Sequence, residues 1–109
     1  MARMARIVVP GFAHHVTQRG NRRANVFDDD ACRHTYLSLF DRYRQEHGLE
    51  VWAYCLMTNH VHWIVVPRDN HALARTFRGA HTLYSLSINK KRRESGHRKA
   101  GAILFLPTG

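Results

Sequence analysis

Acidic residues are scarce in this chain: 8 Asp and Glu stand against 17 Lys and Arg, leaving a net charge of +9. A surface with so few carboxylates attracts polyanions. Cysteine is nearly absent as well, with only Cys32 and Cys55 and no Cys-x-x-Cys spacing. That excludes a disulfide framework and a thiolate zinc site, and both residues read as small apolar side chains. No apolar run approaches membrane-spanning length. Arg3 and Arg6 precede Ile7-Val8-Val9, but Pro10-Gly11 break that run well short of a signal-peptide core, so a cytoplasmic location with no membrane partner is expected.

What is present fits one modest core: 109 residues at 44% hydrophobic content, with no internal repeat or low-complexity linker. Residues 12–18 include β-branched Val16 and Thr17 and run into Arg19-Gly20-Asn21, a strand ending in a turn. Asp28-Asp29-Asp30 suits a helix N-terminus, after which Cys32, Tyr36, Leu39, Phe40 and Tyr43 recur at helical spacing up to Gly48. Residues 49–57 and 60–66 form a hairpin about Thr58-Asn59. Asp69-Asn70 then start a second helix striped by Leu73, Phe77, Ala80, Tyr84 and Ile88 and closed by Lys90-Lys91-Arg92-Arg93. The order βαββα predicts an α+β fold, a ferredoxin-like antiparallel sheet with two helices on one face. Residues 103–106 are the only candidate for its final strand, within a divergent basic tail at 97–109 that follows the main domain at 1–96.

Side chains two apart on a strand share a face, so His60 and His62 project together while Val61, Trp63 and Val65 point the other way. Two imidazoles on one face can hold one divalent ion, and in a basic chain that points to metal-assisted phosphodiester chemistry. With nine histidines in the chain, a structural His-x-His pair is the competing reading.

Two long segments carry a resemblance. Phe12-Ala13-His14-His15-Val16-Thr17-Gln18-Arg19-Gly20-Asn21-Arg22-Arg23 and Val51-Trp52-Ala53-Tyr54-Cys55-Leu56-Met57-Thr58-Asn59-His60-Val61-His62 resemble a REP-associated tyrosine transposase. That group belongs to the insertion-sequence transposases of the HUH single-tyrosine nuclease superfamily. The resemblance implies a ferredoxin-like fold and Mg²⁺ or Mn²⁺ held by His60 and His62. It further implies attack by a tyrosine to give a 5′-phosphotyrosine intermediate, on single-stranded or hairpin DNA and without a nucleotide cofactor.

The family pattern is lost after Gly96-His97, and no tyrosine follows Tyr84, so the family nucleophile is missing. A gene truncated or frameshifted after Gly96 is expected on this ground, with cleavage impaired. Tyr84 is the one candidate substitute, although its place on the apolar stripe favours packing; Tyr36, Tyr43 and Tyr54 also have structural explanations. Arg19, Asn21, Arg22 and Arg23 cluster beside the expected histidine strand and suit phosphate contacts, against a reading as solvated loop charges. His15 shares a face with Thr17 and Arg19 and is a further contact candidate, or a structural hydrogen bonder. The alternative for the whole chain is a basic RNA- or DNA-binding module without catalysis.

Overall fold

The computed structural model describes residues 7–95 and 105–107. The remainder of the expected tail, and the first six residues, lie outside them.

Strand β1 (His14–Gly20) leads through a 3₁₀ turn (Asn21–Arg23) to helix α1 (Asp30–His47). The hairpin β2 (Leu49–Leu56) and β3 (His60–Pro67), helix α2 (Ala72–Ser95) and strand β4 (Phe105–Pro107) complete the order. The antiparallel sheet runs β2-β3-β1-β4, so the chain crosses from β1 over α1 to β2 and returns to fill the gap with β3. This is the ferredoxin-like split βαβ arrangement. The final strand exists, as three residues paired to β1 through Gln18, Arg19 and Gly20.

Local chemistry sets the element ends. Asp29 caps α1 by accepting from the Cys32 amide at 2.9 Å, and Asp30 meets the positive end of the helix dipole. Gly48 stops α1 in the left-handed region at φ 75°, where a side chain would be strained, and its N–H donates to Arg44 O. Asp69 Oδ1 accepts from the amides of His71 and Ala72 at 2.9 and 2.8 Å to begin α2. Strand β1 starts and ends two residues later than its sequence pattern. Arg19 still pairs with His60, and the Gly20 amide donates to Asn59 O, so the ladder runs on to the expected turn.

One face of the sheet is covered by both helices. Val16, Val61, Trp63 and Val65 from the sheet meet Tyr36 and Phe40 of α1 and Leu73, Phe77, Ala80, Tyr84 and Ile88 of α2 in one core. The Trp63 indole stacks on Phe40 with centroids 3.7 Å apart. At Gly79 a Cβ would stand 2.6 Å from the Tyr43 ring, so the helices approach this closely only because that position has no side chain. A polar chain threads the apolar core: the Trp63 indole N–H donates to Tyr36 Oη at 3.1 Å, and Tyr36 donates to His81 Nε2 at 2.7 Å. The alternate residues, His15, Thr17, His60 and His62, face the uncovered side.

A histidine cluster on the uncovered sheet face

The cluster follows from register. In the β1–β3 ladder Thr17 pairs with His62 and Arg19 with His60, which sets four polar side chains of one face side by side. His60 and His62 rings lie 4.8 Å apart between centroids. His15 stacks on His62 at 5.4 Å and 17°.

Hydrogen bonds fix how these rings present their nitrogens. Nδ1 of His60 lies 2.7 Å from Asn59 Oδ1, an oxygen that only accepts, so Nδ1 donates to it and Nε2 is the ring's other nitrogen, not engaged by that bond. Thr17 Oγ1 lies 3.1 Å from His62 Nδ1 and 3.2 Å from His15 Nε2, and those two nitrogens are 3.2 Å apart. The Thr17 hydroxyl both donates and accepts, so it joins the two rings in either sense, and in both it is Nδ1 of His62 that is engaged. Partial burial, reinforced by the neighbouring His60 and His15 imidazoles, holds His62 below the usual histidine range. It is therefore the neutral form that a metal ligand must be.

Among the described residues no group of three or more His, Cys, Asp or Glu is arranged to hold an ion. Two imidazoles, each held on Nδ1 by a protein partner, leave Nε2 as the nitrogen for an ion that completes its shell with phosphate oxygens and water. Mg²⁺ and Mn²⁺, the ions that the resemblance implies, keep such oxygen ligands, while the imidazoles themselves do not select them over other divalent ions.

The basic turn lies against the same end of the sheet. Gly20 N donates to Asn59 O and Val26 N to Thr58 O, which ties the segment after β1 to the turn that carries His60. Arg22 is the only non-glycine residue with positive φ among the described residues, at 55°, and it is exposed. Such conformations persist when the surroundings impose them and gather at functional sites. Arg19 is exposed beside His60, Asn21 is half-buried at the turn, and the Arg23 side chain lies outside the description. Arg92, from the basic run at the end of α2, turns inward. It holds Asp28 at 2.7 Å and Asn25 O at 2.8 Å, so it anchors the loop after the turn and leaves the basic surface. Lys91 lies 3.6 Å from Asp29.

The tyrosines stand elsewhere. Tyr84 is 1% exposed, and its hydroxyl donates to Val26 O inside the helix-covered core. Burial pushes its pKa upward, against formation of a phenolate nucleophile. Tyr36 and Tyr43 belong to α1, and Tyr54 packs on Trp63 at 5.2 Å on the covered side. None of the four tyrosines reaches the histidine face. His14 uses its ring nitrogens on backbone groups, Val9 N and Phe12 O. Asn59 and Thr17, which orient the pair, were not singled out from sequence; their adjacency to His60 and their strand parity with His15 were the available signals.

A split βαβ sheet whose open face carries paired imidazoles beside a basic turn defines a class of small α+β domain suited to polyanionic ligands. The chain belongs to the IS200-like transposase family, whose model matches residues 8–107. Two solved structures share its fold. One is a REP-associated tyrosine transposase bound to a REP hairpin, at TM-score 0.65 and 13% identity over 100% of this chain. The other is a Deinococcus radiodurans R1 protein described as a transposase, at TM-score 0.63 and 14% identity, covering 98% of this chain and 86% of that one. This chain spans 63% of the length of the REP-associated protein. No curated protein matches the sequence.

Proposed function

We propose that the uncovered sheet face binds single-stranded or hairpin DNA, with a phosphate at His60 and His62 and with Arg19, Asn21, Arg22 and Arg23 on neighbouring backbone. The observation that carries this reading is the pair of imidazoles whose Nδ1 atoms are both engaged, on Asn59 and Thr17, so that Nε2 is the atom left for a ligand. Mg²⁺ or Mn²⁺ bound there supplies charge neutralisation and polarises the P–O bond. His15 and Thr17 hold the ring of His62 through Nδ1, and the arginines position the strand through contacts that weaken as salt rises.

Strand cleavage and transfer through a phosphotyrosine need a hydroxyl in line with that phosphate. The tyrosines of this chain lie on the other side of the sheet, so cleavage by the chain acting alone is impaired. Mn²⁺ titration by calorimetry, with a labelled hairpin oligonucleotide followed in parallel, tests both halves. Mn²⁺ binding disappears in a His60→Ala, His62→Ala variant of unchanged far-UV circular dichroism, and no covalent protein–DNA adduct forms. Unchanged Mn²⁺ uptake in that variant would refute the metal site. An adduct lost in Tyr84→Phe would refute impaired cleavage.

The lack of a third ligating side chain among the described residues favours one second reading, a basic RNA- or DNA-binding module whose histidines are structural. DNA or RNA binding that ignores both Mn²⁺ and the double substitution would select it.

A further inference from the structure

Trp52 is 62% exposed, whereas Trp63, the other of the chain's two tryptophans, is 2% exposed. Its exposure comes from an irregularity in the edge strand. Val51 pairs with Val65 and Ala53 with Ile64, so Trp52 is the extra residue of a β-bulge. The indole N–H donates to Glu50 Oε2 at 2.8 Å, and Glu50 pairs across the ladder with Val66 on the uncovered face. That bond fixes the ring on the histidine side of the sheet and satisfies its only polar atom, so the π-face is left for another planar group. Cys55 pairs with His62, and Trp52 lies three residues before it, about 10 Å along the strand.

We propose that Trp52 is a base-stacking residue for the single DNA strand whose phosphate lies at the histidine pair. This rests on the reading of the uncovered face as a DNA surface and adds to it a residue that grips bases. The occupant follows from charge and shape together. A chain of net charge +9 attracts a polyanion, and an indole held by Glu50 about 10 Å along the strand from the imidazoles offers a stacking surface that every base can use regardless of sequence. Duplex DNA keeps its base faces stacked inside, so the preference is for unpaired nucleotides.

Because Trp63 is buried, Trp52 fluorescence reports the contact directly. The full chain is titrated with oligodeoxythymidine of about ten nucleotides in EDTA at low salt, so that no metal takes part. Emission is quenched on binding, and Trp52→Ala lowers affinity by about 5- to 150-fold, the loss of one stacked base. Trp52→Phe recovers part of the affinity, and the urea midpoint of both variants stays close to that of the parent. Binding seen by anisotropy without quenching, equal affinity in Trp52→Ala, or no binding of the oligonucleotide at all would each overturn the proposal. So would conversion of a dimer to a monomer by Trp52→Ala with DNA affinity unchanged, since the indole would then cover a second copy of the chain. Loss of Mn²⁺ binding is a separate measurement, so a metal site that fails leaves quenching intact.

Discussion

The two faces of the sheet carry similar polar groups in opposite settings. On the covered face His81 accepts from Tyr36, which accepts from Trp63, and the whole chain is sealed between the helices. On the uncovered face His62 and His15 meet across Thr17 in contact with solvent. Both networks join imidazole to hydroxyl. In the first every bond serves packing, because an unsatisfied buried donor would cost roughly 1–3 kcal/mol. In the second the bonds settle which nitrogen stays available. Burial decides whether an imidazole is sealed into the packing or stays within reach of solvent.

The sharpest way to break this contrast is to remove the covered anchor. Trp63→Ala leaves a cavity beneath Phe40 and the Tyr36 hydroxyl without a donor, and should cost about 3–5 kcal/mol by urea denaturation. A loss below about 1 kcal/mol would mean that the covered face is not the stabilising one.

Acid probes the same face more gently. Burial drives the His81 pKa down to about 3 from 6.5. The unfolded chain therefore binds a proton between pH 6.5 and 3 that the folded chain refuses. Stability is unaffected by His81 above pH 6.5 and falls as pH drops through that window, by roughly 3 kcal/mol at pH 4 and roughly 5 kcal/mol in total. His81→Phe should flatten the slope of unfolding free energy between pH 6.5 and 4, leaving the carboxylate contribution nearer pH 4 and below. An unchanged slope would place His81 in contact with water.

The smallest effect belongs to the uncovered face. Thr17→Val removes the hydroxyl that orients His62 and should weaken Mn²⁺ binding about 10-fold, with thermal stability nearly unchanged. The reverse outcome, stable metal affinity and lost stability, would make the open network structural like the covered one.

Much of this architecture was legible from residue order. The stripe Cys32, Tyr36, Phe40 and the alternation of Val61, Trp63 and Val65 identify helix and strand, since periods of 3.6 and 2 are properties of the backbone itself. Asp29, Gly48 and Asp69 mark helix ends through local hydrogen bonds that span only a few residues. The pairing of His60 with His62 is equally local. The clamp of Arg92 on Asp28 was hidden, because it joins residues far apart in the chain, and a basic run at a helix end gives no sign of which member turns inward. The bulge at Trp52 was hidden too, since it depends on register against β3.

The sequence by itself determined the elements, the polarity of each strand face and the presence of two imidazoles on one side, all consequences of short-range geometry. Only the tertiary structure decided that Thr17 and His15 meet His62, that Asn59 orients His60, and that Tyr84 is enclosed on the far side from the cluster. Those facts arise from β1 lying beside β3 with Thr17 opposite His62. Ladder register is chosen by burying one whole face at once, which no single stretch of sequence contains.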